Sequence, residues 1–412
     1  MLRRSLGAGL FVVLSAMMLF SSGATARAGA ARPYVHFDRF DTHRALSEGH
    51  RDAVVISRNA GGTATVRLGA HPHRGTDRSG KYNGGAFYWG SILSPVHRPG
   101  IAFDTLNPSW NASTPPGTWI ELDVRVRSGG SWTRWFDLGI WAKGTGTIER
   151  HSVDGQKTAR WQVATDTLQG RGRVFAGAYQ YRLKLFTAKK GISPGVRALF
   201  FTTSNSYRAG EPLGVGPDRR IWGKNLAVPP RSQMVYPDGG EVWCSPTSLS
   251  MVMAYWAKKT GRETLDQPVP RVARGTYDHV YGGTGNWPFN TAYAASYGLV
   301  GSVNRFSSLG QAERFIGAGI PLVASVAWHR GELDGAPIPS TEGHLLVIRG
   351  FTRSGDVIVN DPAAKSAAGV ERVYERDQFR KVWFETGSGG MAYLVYPRGH
   401  QLPSHTYARG SW

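Results

Sequence analysis

Cys244 is the only cysteine in the chain, and it sits in Val242-Trp243-Cys244-Ser245-Pro246-Thr247-Ser248-Leu249. A thiolate, not a thiol, is the form that attacks a carbonyl carbon. The residues that follow favour that form. Pro246 suits an early helical position, where its missing N–H costs nothing. Leu249, Val252, Met253 and Trp256 then recur at helical spacing, and Lys258, Lys259 and Gly261 supply a basic last turn and a stop. Cys244 is therefore predicted at a helix N-terminus, where the dipole and free N–H groups stabilise negative charge. The competing reading is a small buried hydrophobe. A lone cysteine kept in an oxidising compartment argues for chemistry instead.

A cysteine nucleophile needs a base, and the base needs a third group to fix its tautomer. The sequence predicts strands over 344–351 and 357–360 around the turn 352–356. His344 begins the first strand and Asp361 closes the second, within a residue or so of opposite. Opposed residues have Cβ atoms roughly 5 Å apart, close enough for an imidazole and a carboxylate to bond. His329 is a rival base in a Gly- and Asp-containing loop. Asn360 is a rival orienter, but alternation points it to the other face. Each has a structural reading too: His344 as a strand-start histidine, Asp361 before Pro362 as a turn residue. Acyl transfer also needs oxyanion donors. The Cys244 N–H is one, and the amide of Gln233, in Arg231-Ser232-Gln233-Met234, is a second candidate, otherwise an ordinary loop glutamine.

These stretches together resemble the C39-like peptidase family: Gln233, Trp243-Cys244-Ser245-Pro246-Thr247-Ser248, Gly343-His344-Leu345-Leu346-Val347 and Asn360-Asp361-Pro362, in that order. The resemblance covers roughly 227–397. It implies a papain-like cysteine peptidase fold with Cys244 as nucleophile, His344 as general base and acid, Asp361 orienting His344, and Gln233 in the oxyanion hole. It implies no metal or cofactor. Ser245 departs from the glycine that commonly follows the cysteine in that family. The best-known members are parts of ATP-driven exporters that cut double-glycine leaders. This chain shows neither a transmembrane bundle nor a GxxxxGK[ST] loop, so leader processing is not carried over.

The elements around these residues divide the chain into two patterns. From 34 to 207 short alternating runs lie between Gly-rich turns, the pattern of an all-β sandwich. The clearest strand is 118–127, read as half-buried, followed by a hairpin return over 132–141. Trp110, Trp132 and Trp135 are read mainly as packing, with sugar stacking as the alternative. His36, His43, His71 and His73 lack metal-ligand spacing. The segment 208–226 reads as a linker, with Trp222 and Leu226 packing on a neighbour. From 227 to 412 helices precede largely antiparallel strands, an α+β order. Predicted helices start at 288 and 376 and, with a capping box at Ser308-Leu309-Gly310-Gln311, at 309. The expected architecture is thus a β-sandwich followed by an α+β papain-like peptidase domain.

Residues 1–28 read as a signal peptide: Arg3 and Arg4, then an apolar run from Leu6 to Phe20, then small residues around Ala26 and Ala28. An uncleaved anchor is the rival. The run is short for a membrane span, so a secreted protein with no span after signal removal is expected. The 412 residues carry 49 basic and 29 acidic side chains, a formal charge of +20. That balance favours an anionic envelope surface; without a basic run or arginine helix, nucleic acid is not expected. The expected partner is a peptide or protein substrate, at or near a cell wall. The alternatives are acyl transfer of the transglutaminase type and a secreted binding module with an inactive peptidase domain.

Overall fold

The computed structural model describes residues 33–210 and 215–404. The segment expected as a signal peptide lies outside the described residues. Among the described residues, no helix is long and apolar enough to cross a membrane. The structure is mostly β, built on three antiparallel sheets.

Residues up to Ser204 form two seven-stranded sheets. The first runs Trp161–Ala164, Thr167–Gly170, Thr105–Ser113, Gly195–Ser204, Ala64–Leu68 and Val54–Arg58, with Val35–Phe40 also paired to Gly195–Ser204. The second is centred on Thr118–Ser128 and Ala178–Thr187, paired in register from Thr118–Thr187 to Arg127–Ala178. Rings from the two sheets meet in the core, with Tyr181 5.0 Å from Phe201 and 5.5 Å from Phe40.

Thr118–Ser128 corrects the half-buried expectation, because almost all of it is buried on both faces. Glu121 and Asp123, expected on a wet face, are covered together with Asp137. Lys81 reaches Glu121 at 3.0 Å and Asp137 at 2.8 Å, while Lys184 and Arg182 reach Asp123 at 2.9 and 2.6 Å. A buried carboxylate is tolerated only when paired in this way. The expected return strand over 132–141 is broken into Ser131–Trp132 and Phe136–Trp141. Trp110 is fully buried and offers no ring to a sugar. Trp132 and Trp135 are half-buried, with Arg125 stacked at 4.8 and 4.7 Å from their rings and Arg182 at 4.9 Å from Trp135.

The third sheet has six strands in the order Leu299–Arg305, Met391–Pro397, Leu322–Trp328, Thr341–Phe351, Val357–Asn360 and Glu371–Tyr374. Helix Cys244–Thr260 lies against it. Ser248 Oγ donates to the Leu345 carbonyl at 2.9 Å, and Trp256 Nε1 donates to the Val395 carbonyl at 2.7 Å. The helix ends as expected, with Gly261 in the left-handed region at φ 65°. Helices Trp287–Ser296, Leu309–Gly317 and Arg376–Phe384 lie within a residue of their predicted starts. The segment after 215 packs as expected: Trp222 Nε1 donates to Glu313 at 2.9 Å and Leu226 N to the Arg349 carbonyl at 2.8 Å.

Leu299–Arg305 would be an open sheet edge, with unpaired backbone groups facing outward. Side chains of the first sheet cover it. Asn111 Nδ2 donates to the Gly301 carbonyl at 2.7 Å, Thr202 Oγ1 donates to the Val303 carbonyl at 2.6 Å, and Val303 N donates to Ser109 Oγ at 3.1 Å. These three polar side chains are buried. They join the β-rich half to the third sheet through groups that would otherwise be left unpaired.

Candidate active site

The loop before the nucleophile helix is shaped by two glycines. Gly239 is left-handed, at φ 107°. A Cβ on Gly240 would come within 2.1 Å of the Gln233 carbonyl oxygen, so no larger residue fits without moving the backbone. Cys244 is the first residue of its helix, with Trp243 at the N-cap. Its N–H has no helical acceptor, as expected for a first-turn residue, and makes no backbone bond among the described residues. Cys244 as a residue is half-buried.

His344 lies within Thr341–Phe351 rather than at its start, since the strand begins three residues earlier. Its Nε2 is 2.8 Å from Asp361 Oδ1, and both groups are buried. That leaves Nδ1 as the ring nitrogen for the thiol. The two residues are not directly opposed. The ladder pairs Val347 with Asn360, which sets Asp361 against Leu346, and His344 is the diagonal neighbour on the same face. A bulge between Ile348 and Gly350 shifts the register from the one a simple turn predicts. Diagonal Cβ atoms stand roughly 7–8 Å apart, still within reach of a long imidazole.

The electrostatics follow from this contact. Burial pulls His344 down, but the charge and hydrogen bond of Asp361, with those of Cys244, outweigh it and push His344 up to about 10. Burial pushes the Cys244 thiol up, and His344, helped by the N–H groups of Leu345 and Ser245, brings it below its ordinary value. Asp361 is held below the usual carboxylate range: desolvation opposes this, but His344, the Tyr374 hydroxyl and the Ala363 N–H prevail. The arrangement stabilises a thiolate–imidazolium pair backed by a carboxylate.

Gln233 lines the same cleft as Cys244 and His344. Its amide departs from the expected orientation. Nε2 donates to the Gly240 and Glu241 carbonyls at 2.9 and 3.0 Å, and Oε1 is buried without a hydrogen-bond partner. The side-chain donor is thus spent on the loop it braces. Asn360 is structural: its Oδ1 accepts from Arg349 at 3.0 Å and its Nδ2 donates to the Val228 carbonyl at 3.1 Å. His329 is exposed and lies outside the cleft lining. Ser245 turns away from the cleft, its Oγ 2.9 Å from the Tyr393 hydroxyl in the core.

Two aromatic residues were not anticipated. Tyr374 donates to Asp361 Oδ2 at 2.7 Å. Trp328 stands edge-on to His344, with centroids 5.7 Å apart. Nothing in the local sequence marks either one, because their role depends on register between strands. The histidines of the β-rich half serve elsewhere; His36 pairs with Asp38 and His73 with Asp52. Glu121, Asp123 and Asp137 lie close enough together to share a cation. The ammonium groups of Lys81 and Lys184 already occupy that position as counter-charges.

The cleft has a volume of about 850 Å³. Met234, Val242, Tyr281 and Trp287 give it an apolar lining, while Glu241 and Glu342 stand at its rim.

Residues 34–204 match the family described as the peptidase C39 N-terminal domain, and residues 225–391 match the peptidase C39-like family. The chain carries two peptidase C39-family domains. Cys244, His344 and Asp361 all fall within the second match. No curated protein matches the chain. Among solved structures, it is similar to a C39-like peptidase from Bacillus anthracis at 17% identity and TM-score 0.28, covering 43% of this chain and 97% of that one. It is also similar to a carbohydrate-binding module of the β-sandwich superfamily at 10% identity and TM-score 0.19, covering 41% of this chain and 56% of that one. The β-rich half therefore has a family model of its own.

Proposed function

We propose that this chain is a secreted cysteine peptidase that hydrolyses amide bonds through Cys244, His344 and Asp361. In this reading the second half is a papain-like domain, with the nucleophile helix against the sheet that carries the base. The first half is a β-sandwich, and 208–226 connects the two. The observation that carries the reading is the buried 2.8 Å contact between His344 and Asp361, with the His344 ring also bonded to a thiol of lowered pKa.

The Cys244 thiolate attacks the scissile carbonyl and forms a C–S bond. Negative charge moves to the carbonyl oxygen, where the Cys244 N–H is the available donor. Collapse breaks the C–N bond, and the imidazolium of His344 gives its proton to the departing amine. The thioester is then attacked by water, whose proton passes to neutral His344, and the C–S bond breaks to release the acid and regenerate the pair. Asp361 keeps Nε2 protonated throughout and holds the ring in place.

The test is turnover of a peptide library by the full chain, with Cys244→Ala as control and intact-mass detection of an acyl-enzyme. Turnover lost in Cys244→Ala, with a thioester adduct on the parent protein, supports the reading. Turnover that survives the substitution, or no cleavage of any peptide together with an unreactive thiol, means the domain is inactive or serves binding.

A further inference from the structure

Part of the cleft lining comes from the segment 278–287, which is anchored from the β-rich half. Tyr281 and Trp287 from this segment face the cleft. Asp278 gathers the segment from within: its Oδ1 accepts from the N–H groups of Val280 and Tyr281 at 3.1 Å each, and its Oδ2 accepts from Asn286 Nδ2 at 2.9 Å. Three groups from outside hold this unit. Ser152 N donates to Asp278 Oδ1 at 3.0 Å. Asp166 Oδ2 accepts from Trp287 N at 2.6 Å, so a carboxylate of the first half takes the first free N–H of the helix that begins at Trp287, beside the N-cap Asn286. Arg150, 1% exposed, donates to the Ala142 and Lys143 carbonyls of its own half and to the Arg274 and Tyr277 carbonyls of the other.

Burial costs both charged anchors, Arg150 and Asp166, solvation. The Arg150 guanidinium is buried with carbonyl partners and no carboxylate salt bridge among the described residues. Asp166 is buried, and desolvation holds its pKa up at about 6 despite the Trp287 N–H and Thr167 hydroxyl; Asp278 adds to the rise. The turn that presents Asp166 contains Thr165 at φ 53°, a left-handed conformation that a β-branched residue rarely adopts. Trp110 and Trp141 of the first half also pack on Phe289, in the first turn of the capped helix, at 6.2 and 5.3 Å.

We propose that the β-rich half positions one wall of the substrate cleft, with Asp166 and Arg150 as positioning residues that hold 278–287 in place beside the catalytic groups. The claim rests on the peptidase reading only where reactivity is the readout. A peptide must contact this wall, whereas a small thiol reagent need not. Displacing a wall by an ångström costs a positioned reaction about 10- to 100-fold.

The full-length chain and its Asp166→Ala and Asp166→Asn variants are compared by two measurements. The first is the alkylation rate of Cys244 by iodoacetamide and by a dipeptidyl chloromethyl ketone. The second is amide hydrogen exchange. In Asp166→Ala, exchange within 278–287 is expected to rise while that of 341–351 holds. The iodoacetamide rate is expected to stay within about twofold, while the advantage of the peptidyl reagent falls about 10- to 100-fold. Asp166→Asn keeps an acceptor oxygen for the Trp287 N–H and is expected to recover part of both losses; it also serves if the alanine variant does not fold. Unchanged exchange in 278–287 overturns the proposal, and so does an iodoacetamide rate that falls in step with the peptidyl one. An iodoacetamide rate in the parent that is insensitive to His344→Ala overturns the peptidase reading instead, and the exchange measurement still decides the role of Asp166.

Discussion

Tyr374 donates its hydroxyl to Asp361 Oδ2 at 2.7 Å, from the strand next to the one that Asp361 closes. The carboxylate thus has a dedicated donor for each oxygen apart from His344, since Ala363 N also donates to Oδ1 at 3.0 Å. An orienting carboxylate is effective only if it is itself oriented. Tyr374 is fully buried, so its hydroxyl has no water to turn to and its own ionisation is pushed up, by burial and then by the Asp361 charge.

Tyr374→Phe removes one donor and leaves a buried carboxylate oxygen unpaired. The expected cost is about 1–3 kcal/mol of stability, measured by denaturant unfolding. The Tyr374 bond lowers the pKa of Asp361, so its loss raises that pKa and moves the acid limb of the pH–rate profile to higher pH. An unchanged acid limb would mean that Tyr374 merely packs.

Much of this site could be read from the chain because its signals are local. The apolar spacing after Cys244, the stop at Gly261 and the turn between His344 and Asp361 each lie within a few residues. What could not be read depends on distant register. The bulge between Ile348 and Gly350 shifts the ladder, so His344 meets Asp361 diagonally. Tyr374 reaches Asp361 from a strand that alternation does not mark. Leu299–Arg305 is buried on both faces, so no polar–apolar alternation marks it in the sequence. Thr118–Ser128 alternates clearly, yet its polar face is also covered, by cations from other strands. Alternation reports chemistry on each face, not whether water reaches it.

Asp361→Ala removes the largest support of the His344 charge. His344 is expected to fall from about 10 toward its ordinary value, because burial is then opposed by Cys244 alone. The thiolate loses its partner, and the pH profile of Cys244 alkylation shifts upward. Turnover falls by roughly 10³–10⁴. The stability consequence has a definite sign. Asp361, depressed in the fold, contributes stability present above about pH 3.8 and lost as pH falls through its folded pKa. His344, raised in the fold, contributes stability present below 6.5 and lost as pH rises toward 10. Cys244, depressed, acts in the opposite sense to His344 on the alkaline side. Thermal unfolding of Cys244→Ala across pH therefore exposes a steeper alkaline decline than in the parent chain, and adding His344→Gln flattens it. Identical alkaline slopes in all three proteins would contradict the pair.

Gln233 braces the loop before the nucleophile with both amide bonds given to the Gly240 and Glu241 carbonyls. Gln233→Ala is expected to destabilise the chain by about 1–3 kcal/mol by removing two hydrogen bonds from the loop, where the Gly240 carbonyl keeps only the Trp243 N–H. If its amide also turns to meet the oxyanion during turnover, kcat falls about 10²–10³-fold while the iodoacetamide rate of Cys244 holds. A kcat that falls less than about tenfold assigns Gln233 to the loop alone.

The rim of the cleft runs against the charge of the whole chain. The formal balance is +20, yet the charged residues lining the cleft besides His344 are Glu241 and Glu342, both exposed. Neither side chain has a hydrogen bond or ion pair among the described residues. Unpaired carboxylates at a cleft mouth favour a cationic chain and are screened by salt. Each exposed contact contributes about 0.2–1 kcal/mol, so a peptide with Lys or Arg beside the scissile bond should be preferred several-fold over its Glu counterpart. The preference should shrink in Glu241→Gln and Glu342→Gln, and with both glutamates present it should fall as salt rises from 50 to 500 mM, over which the Debye length drops from about 14 to about 4 Å. Peptide binding to Cys244→Ala by fluorescence anisotropy measures it without turnover. Equal affinity for the two peptides at low salt would show that these glutamates face solvent rather than substrate.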